Sequence, residues 1–385
     1  MERIDALQFY LPTKIIFAAG AVAKTGEEAA QLGRKALVVT AAQTMRSLGY
    51  TTLIERSLVE KGLAYELYEE IETNPSMDTV THGAELATAK GCDVIIGLGG
   101  GSAMDAAKAI ASAAGLNRPI ADLMQEGMQR KGLPCIVIPT TAGTGAEVTH
   151  ISVLTNKDRR RKDGLRSPFN FASVAILDPA LTMQLPPYIT ANTGIDALTH
   201  AIEAYTSRTA QPISDLYAHK AITLVRAHLR RAVRYGGDLE ARKGMMLASN
   251  LAGIAIAHAG TGAAHGVGMT VGGVCNADHG TTVGLALPAV IEFNLAANLE
   301  KYAEIAVLLG EQTAGLSQRA AAALAIKAVQ ELLHDLGLPQ SLGEIGVTAD
   351  LLPQLLADTQ TQRVWLNNPR LATAAEMESI FRSLL

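Results

Sequence analysis

The first half of the chain alternates short apolar runs with segments of helical composition. Stretches such as Ala106–Ala114 are rich in alanine, which favours a helix. The apolar runs have the length and the Val, Ile and Leu content of strands that are buried on both faces. Strands that alternate with helices predict a parallel sheet with helices on both sides. The runs are Lys35–Thr40, Asp93–Gly97, Cys135–Pro139 and Val174–Asp178.

The pattern changes near Leu185–Tyr188. Beyond this point runs of β-branched residues become rare, and stretches rich in Ala and Leu, such as Asp215–Arg234 and Ser317–Leu336, predict helices. A chain of 385 residues is also long for a single core. We therefore expect two domains, an α/β half over residues 1–188 and an all-α half over residues 189–385.

Composition argues against several classes of protein. A net charge of −4 gives no reason to expect nucleic acid or an anionic membrane as a partner. The three cysteines are too few and too scattered for a disulfide framework, and they indicate thiols in a reducing cytoplasm. The first residues lack the cationic start and apolar core of a signal peptide, and no uninterrupted apolar run is long enough for a membrane helix. We expect a soluble, cytoplasmic protein.

Two polar turns follow predicted strands and could hold a nucleotide. Gly97–Ser102 comes directly before a helical stretch. The glycines of this turn let the backbone approach a ligand closely, and the N-terminus of the following helix favours the binding of a phosphate. Thr140–Glu147 offers hydroxyls and backbone amides for ribose, adenine or nicotinamide. Ligands of parallel sheets bind beyond the carboxyl ends of the strands, where both turns lie, although a tight turn that binds nothing is the competing interpretation. The candidate residues are Gly99, Gly100, Gly101, Ser102, Asp105, Thr140, Thr141 and Thr144.

The first predicted strand bears on which dinucleotide is used. NAD-binding folds usually carry an acid after an early strand, where it bonds the adenosine ribose. Here Thr40 is followed by two alanines and Gln43, with Arg46 as the nearest cation. We expect Thr40 and Gln43 to contact the cofactor, and NADP(H) to be accepted and slightly preferred to NAD(H). The charge run Asp158–Lys162 is expected on a solvated loop, although it could also attract a cofactor phosphate or an anionic substrate.

Four residues of the second half have the composition of a metal site. Asp196 and His200 are four residues apart, which places them on one face of a helix. His265 and His279 frame a later glycine-rich segment. One carboxylate and three imidazoles suit Zn²⁺ or Fe²⁺ and leave room for a substrate oxygen.

Taken together, these motifs resemble those of the iron-containing (group III) alcohol dehydrogenases. The similarity rests on Gly99–Lys108, Thr140–Glu147, Gly194–Tyr205 and the late histidine pair, and it extends to Asn368–Arg370. That family includes lactaldehyde reductases, 1,3-propanediol dehydrogenases and butanol dehydrogenases. The resemblance implies a Rossmann-like dinucleotide-binding domain, a helical metal-binding and substrate domain, and a cleft between them.

The same resemblance implies an activity. It predicts hydride transfer between NAD(P)(H) and a small primary or secondary alcohol or aldehyde. It also predicts a divalent metal, Fe²⁺ first and Zn²⁺ second, held by Asp196, His200, His265 and His279. Relatives are commonly dimers or larger, so we expect a homo-oligomer, most simply a homodimer. The physiological substrate is not predicted.

One departure from the family concerns the residue that would relay a proton during catalysis. Members commonly carry a histidine four residues after the third metal ligand, near the nicotinamide, where this chain has Met269. A thioether cannot relay a proton, so we expect Met269 to pack against the nicotinamide or substrate, or to ligate the metal weakly. His258 and His150 are then candidate relays, with a structural or surface role as the competing interpretation. Glu203 could orient the imidazole of His200 or be an exposed helical glutamate.

Other functions remain open at this point. A dehydroquinate-synthase-like lyase would use NAD and a metal without net redox change, and a glycerol-type polyol dehydrogenase is a closer alternative. The third alternative is a non-catalytic module that senses a nucleotide or a metal. Stoichiometric oxidation of NAD(P)H by a simple aldehyde would separate a dehydrogenase from the lyase and the sensor.

Overall fold

The computed structural model describes residues 7–157 and 161–385. Its contacts divide the chain into two compact units. One unit, here called the α/β unit, comprises Tyr10–Thr141 and Gly145–Gln184. The other, the helical unit, comprises the described residues up to Phe9, Ala142–Thr144 and Leu185–Leu385.

The described residues of the α/β unit form eight strands and six α-helices. The strands are β1 Lys14–Phe17, β2 Lys35–Thr40, β3 Ala64–Tyr68, β4 Val94–Gly99, β5 Cys135–Pro139, β6 Ile151–Asn156, β7 Arg161–Arg166 and β8 Val174–Leu177. The helices are α1 Thr25–Leu32, α2 Ala42–Ser47, α3 Tyr50–Glu60, α4 Met77–Ala89, α5 Gly101–Leu116 and α6 Ile120–Glu126. Six strands form a parallel sheet in the order β1-β8-β5-β4-β2-β3. The predicted parallel sheet is thus confirmed.

The central strands are buried on both faces. Along β2, Leu37 and Val39 belong to one apolar cluster while Val38 belongs to another. Ile95 and Ile96 of β4 divide between the same two clusters. Successive side chains of a strand point to opposite faces, so a central strand with helices on both sides must be apolar throughout. This is why the four apolar runs were recognisable as strands.

A separate antiparallel hairpin pairs β6 with β7. It corrects part of the expectation for the charge run Asp158–Lys162. Asp158–Arg160 lie outside the described residues, but Arg161 and Lys162 begin β7 instead of lying on a loop. Burial lowers the pKa of Lys162.

The helical unit contains nine α-helices and no strand among its described residues. They are α7 Pro187–Thr206, α8 Pro212–Arg234, α9 Leu239–Ala259, α10 Ala263–Cys275, α11 His279–Asn294, α12 Leu299–Leu309, α13 Gln318–Asp335, α14 Leu352–Thr359 and α15 Ala374–Leu384. The predicted helix Asp215–Arg234 falls within α8, and the predicted helix Ser317–Leu336 exceeds α13 by one residue at each end. Helix α7 packs against α8, α9 and α11 and is buried over most of its length, which makes it the central helix of this unit.

One segment of the described chain, His279–Ala297, is apolar and long enough to span a bilayer by length and composition. Within the protein, 72% of that window is buried. Helix α11 packs against α7, α10 and α13, so its apolar side chains are used in the core of the helical unit.

Candidate active site

Three helices of the helical unit carry the predicted metal ligands. Helix α7 presents Asp196 and His200 one turn apart on one face, and both side chains are buried. His265 lies in the first turn of α10, and His279 is the first residue of α11. The fold therefore brings together side chains that are far apart in sequence.

The closest group is formed by Asp196, His265 and His279. From Oδ1 of Asp196, Nε2 of His265 is 3.6 Å away and Nε2 of His279 is 3.7 Å away. One ligand atom from each of the three residues lies within 4.8 Å of the others. His200 lies beside this group: its Nδ1 is 3.8 Å from Asp196 Oδ1, and its ring stacks on that of His265 with centroids 4.4 Å apart. All four predicted ligands are thus neighbours.

Two atoms of this cluster lack a hydrogen bond. Asp196 Oδ1 and His265 Nε2 are both fully buried and have no hydrogen-bond partner among the residues that the structure describes. Leaving such a polar atom unsatisfied costs about 1–3 kcal/mol, so native proteins rarely do it without a reason. A cation between these atoms would satisfy both. A carboxylate oxygen and imidazole nitrogens are donors that suit Fe²⁺ or Zn²⁺.

Electrostatics around Asp196 favour the carboxylate form. Burial alone would raise the pKa of Asp196, but the imidazoles of His200, His265 and His279 overcome this and hold the pKa well below its usual range. The group is therefore an anion in a buried site, and a cation is its natural counter-charge.

Glu203 is buried and orients His265, which corrects both expectations for this residue. Its Oε2 is 2.6 Å from Nδ1 of His265, so a carboxylate accepts the Nδ1 proton and leaves Nε2 directed at Asp196. Burial would lower the pKa of His265, but Glu203 and Asp196 raise it to about 9. Sequence spacing pointed to His200 because it is one turn away on the same helix, whereas the true partner comes from α10.

The same glutamate also caps α10. Its carboxylate accepts the backbone N–H groups of Gly262, Ala264 and His265, and Oδ1 of Asn368 accepts that of Ala263. The first N–H groups of a helix have no partner within the helix, so these two side chains satisfy them. Helix α10 therefore begins at a defined place, and His265 is held through its main chain as well as its ring.

A different set of contacts sets the position of His279. The hydroxyl of Tyr188 donates to Oδ2 of Asp278 at 2.8 Å and lies 3.0 Å from Oγ1 of Thr281. Gly280 has no side chain, which lets α11 approach Asn192 of α7 closely. The side chain of His279 is 38% exposed, whereas those of Asp196 and His265 are nearly inaccessible, so His279 marks the open side of the cluster.

In the α/β unit, the first predicted nucleotide turn adjoins the start of the second at Thr140 and Thr141. Gly99 has φ +147°, a conformation that favours glycine, and its carbonyl accepts the N–H of Thr140 at 3.0 Å. A β-carbon on Gly100 would lie 3.3 Å from Oγ1 of Thr141. Helix α5 begins at Gly101, so its N-terminal N–H groups lie at the first turn. This arrangement can receive a phosphate.

Three of the predicted cofactor residues are engaged within the fold. Oγ1 of Thr40 donates to the Leu98 carbonyl, and the buried Asp105 accepts the N–H of Val153 and pairs with Lys108. Oγ of Ser102 accepts the backbone N–H of Asn74 at 3.2 Å. Gln43 is exposed on α2. These bonds favour a supporting role for Thr40 and Asp105.

The segment around Asn74 was missed in the sequence analysis. Asn74 has φ +58° and precedes Pro75, and it brings its main chain to the N-terminus of α5 through Ser102. The Asn-Pro dipeptide was the available signal, since it marks a turn. Nothing in the sequence indicated which helix that turn would meet.

Comparison with known proteins identifies the family of the chain. A family model described as iron-containing alcohol dehydrogenase matches residues 12–179, and the model of the C-terminal part of the same family matches residues 190–385. The chain belongs to the iron-containing alcohol dehydrogenase family. It is 38% identical over 377 residues to a choline dehydrogenase of Bacillus subtilis (strain 168), covering 96% of this chain and 93% of that protein.

Two further similarities run over almost the whole chain. An NAD-dependent methanol dehydrogenase of Bacillus methanolicus is 35% identical over 379 residues, with 98% of this chain and 99% of that protein covered. The crystal structure of a 1,3-propanediol oxidoreductase superposes with a TM-score of 0.95 at 37% identity, with 99% and 100% of the two chains covered. The resemblance found in the motifs is thus confirmed for both halves of the chain.

As a member of this family, the protein is an oxidoreductase of alcohols and aldehydes. Both family models describe alcohol dehydrogenases, so the lyase and sensor alternatives receive no support, whereas a polyol dehydrogenase is itself an alcohol dehydrogenase.

In this iron-containing alcohol dehydrogenase, the two candidate relay histidines have other surroundings. His258 stacks on Phe9 with ring centroids 4.3 Å apart, and its Nδ1 is 2.8 Å from the carbonyl of Ile254 on its own helix. The ring of His150 lies 5.5 Å from that of Phe171 in the α/β unit. Both contacts favour a packing role. Met269 is half-buried on α10, one turn after His265.

Proposed function

We propose that the protein transfers hydride between NADP(H) or NAD(H) and a small primary or secondary alcohol or aldehyde. The metal, Fe²⁺ before Zn²⁺, would be held by Asp196, His200, His265 and His279. Choline, methanol and 1,3-propanediol, which name the similar proteins, all carry a primary hydroxyl group, and this supports a short primary alcohol as the substrate.

The observation that carries the proposal is the pair of buried atoms without hydrogen bonds, Asp196 Oδ1 and His265 Nε2, which face each other at 3.6 Å. A divalent ion there supplies a Lewis acid that polarises a carbonyl and acidifies an alcohol. The surrounding residues hold its ligands: Glu203 fixes the ring of His265, and Asp278 with Tyr188 fixes the start of α11.

The dinucleotide would be bound at the two adjoining turns, Gly97–Ser102 and Thr140–Glu147. Gly99, Gly100, Gly101 and Ser102 with the start of α5 would take the pyrophosphate, and Thr140, Thr141 and Thr144 the ribose and nicotinamide. Met269 would pack against the nicotinamide ring. The dinucleotide supplies the hydride at C4 of its nicotinamide, and the protein orients it and excludes water.

The preference for NADP(H) rests on the missing acid after β2. Arg46 contributes little to it, because its guanidinium already pairs with Glu69 at 3.0 Å and Glu55 at 3.5 Å. Residues 41–43 carry no acid that would bond the adenosine ribose or repel a 2′-phosphate. We therefore expect both dinucleotides to be used, with NADP(H) slightly ahead.

The test is a cofactor-oxidation screen under anaerobic conditions. Metal-stripped protein is given Fe²⁺, Zn²⁺, Co²⁺ or Ni²⁺ in turn and assayed with a panel of short aldehydes and either reduced dinucleotide. We expect oxidation of one NAD(P)H for each aldehyde reduced, and only with metal present. Activity in rigorously stripped protein would contradict the proposal.

Two variants separate the metal site from the dinucleotide site. His265→Ala and His279→Ala should each abolish metal retention and turnover while dinucleotide affinity stays near that of the parent. His334→Ala, an exposed histidine of α13, is the matched control and should change neither. Near-parental activity of either metal-site variant would remove that histidine from the proposed ligands.

The remaining expectations belong to the same proposal. A domain boundary near residue 188, with metal-binding and substrate functions beyond it, is supported by the passage from one compact unit to the other after Gln184. A cytoplasmic location is supported by three free thiols. A homo-oligomer is supported by β1, an edge strand whose outer side pairs with no other described strand and whose Ile15 and Phe17 are exposed.

A further inference from the structure

Lys108 is almost completely buried, with 1% of its side chain exposed, in a shell made of oxygen atoms. Its Nζ lies 2.5 Å from the carbonyl oxygen of Ile151, 2.8 Å from that of Ala146 and 3.3 Å from that of Thr149. Oγ1 of Thr149 is 3.4 Å away, and Oδ1 of Asp105 is 3.0 Å away. Five oxygens from four residues thus surround one ammonium group.

The ammonium group of Lys108 stabilises a segment whose converging carbonyl oxygens would otherwise repel one another. The carbonyl oxygens of Ala146, Thr149 and Ile151 all carry partial negative charge, and they converge on one point only because a cation lies there. The three residues lie within one short stretch, 146–151, that begins inside the turn Thr140–Glu147. Lys108 itself is on α5, whose N-terminus begins at the glycine turn.

Asp105 closes the arrangement. Its Oδ1 pairs with Lys108, and its Oδ2 accepts the N–H of Val153 at 2.9 Å, so the carboxylate joins α5 to strand β6. The buried charge of Lys108 is balanced by that of Asp105, as a buried ion requires. The ion pair of Lys108 and Asp105 therefore connects helix α5, which follows the first nucleotide turn, to the segment that follows the second nucleotide turn.

The chemistry of the shell is that of a monovalent cation site. Backbone carbonyl, hydroxyl and carboxylate oxygens are the groups that replace the hydration shell of K⁺ in proteins. An ammonium group on a lysine stem is a compact point charge with three donors and can take the same position.

We propose that Lys108 is a positioning residue that acts as a built-in monovalent cation, and that it shapes segment 146–151 for dinucleotide binding. The inference rests on the proposed function, because it assigns this segment to the dinucleotide site. It also makes a distinctive claim: once the lysine is shortened, the oxygen shell takes up a free K⁺ or a small ammonium ion.

The experiment measures NAD(P)H affinity of Lys108→Ala by fluorescence titration in tetramethylammonium chloride, in KCl and in methylammonium chloride at equal ionic strength. In tetramethylammonium, an ion too large for the shell, affinity should fall about tenfold or more, as expected for loss of hydrogen bonds from a charged group. K⁺ or methylammonium should restore most of it. The parent protein should respond to none of the three salts.

A matched control and a second variant make the result decisive. Lys327→Ala removes an exposed lysine that pairs only with glutamates on the surface, and it should match the parent in every salt. Lys108→Gln keeps two N–H donors without the charge, and it should lose affinity without rescue by any cation. Parental affinity of Lys108→Gln would overturn the inference even if Lys108→Ala failed to fold.

The two proposals fail in different ways. If the parent binds neither NADP(H) nor NAD(H), the proposed function is wrong. If the parent binds a dinucleotide while Lys108→Ala binds it equally well in all three salts, the function stands and the built-in cation is wrong. An affinity loss that neither K⁺ nor methylammonium reverses would also overturn it.

Discussion

At the scale of single residues, the metal cluster is a balance between charge and hydrogen bonding. Asp196 and His265 are buried together, yet each has one polar atom without a hydrogen bond. The other ring nitrogen of His265 and the first N–H groups of its helix are satisfied, because Glu203 binds them. A site with all supports in place and two ligand atoms open is arranged for an ion from outside.

The first prediction concerns Glu203. Glu203→Ala leaves Nδ1 of His265 and the N–H groups of Gly262 and Ala264 without an acceptor. We expect metal affinity to fall about 10- to 100-fold, as is common when a residue that orients a metal ligand is lost. Competition with a chelating dye measures it. Glu331→Ala, an exposed glutamate of α13, should bind metal like the parent, and unchanged affinity in Glu203→Ala would show that His265 needs no such support.

The second prediction concerns Ala41, the residue that follows β2. Ala41→Asp places a carboxylate where NAD-binding folds use one to bond the ribose hydroxyls, and it should repel a 2′-phosphate. We expect the ratio of kcat/KM for NADH over NADPH to rise about tenfold or more, equivalent to roughly 1.4 kcal/mol. Ala41→Asn has the same shape without charge and should shift the ratio far less. An unchanged ratio in Ala41→Asp would place the adenosine ribose elsewhere.

The sequence predicted correctly those contacts that are set by residues close together in the chain. The i,i+4 pair Asp196 and His200 could be read from spacing, because one helix sets their geometry. The partner of Glu203 could not, because it depends on where α10 begins relative to α7. Similarly, β2, β4, β5 and β8 were evident from apolar runs. Strand β1 was not predicted although Ile15–Phe17 are apolar, because it is only four residues long, and β7 shows no apolar run because it carries charged residues.

At the scale of elements, the close packing of α7 against α11 determines where His279 lies. The contact depends on Gly280, next in sequence to that histidine. A β-carbon on Gly280 would lie 2.0 Å from Oδ1 of Asn192 and 2.1 Å from its backbone oxygen. Because one of those atoms is backbone, a rotamer change alone cannot make room.

The third prediction follows from this contact. Gly280→Ala should push the start of α11 away from α7, lower the free energy of unfolding by about 1–3 kcal/mol and weaken metal binding by displacing His279. Thermal unfolding and metal titration measure the two effects. Gly273→Ala is the matched control on α10, since a β-carbon there meets nothing within 4 Å and alanine favours a helix. Equal behaviour of the two variants would contradict the role of this contact.

At the scale of the whole molecule, the edge of the parallel sheet is the candidate surface for the proposed homo-oligomer. Strand β1 pairs with β8 on one side, while its other side faces no described strand. Ile15 and Phe17 point to the same face of β1 and are 36% and 37% exposed. An exposed apolar edge invites pairing with a second chain, and two identical edges can meet antiparallel about a twofold axis.

The fourth prediction tests that association. The double variant Ile15→Lys and Phe17→Lys places like charges on both facing edges, where they repel across a twofold axis and disfavour pairing. We expect the parent to be a dimer or larger in light scattering after size exclusion, and the variant to shift to monomer with metal affinity unchanged. Leu53→Lys with Val59→Lys, two exposed apolar residues of α3, serves as the control and should keep the parental mass. A parental mass in the β1 variant would exclude this edge as the interface, and a monomeric parent would exclude the oligomer itself.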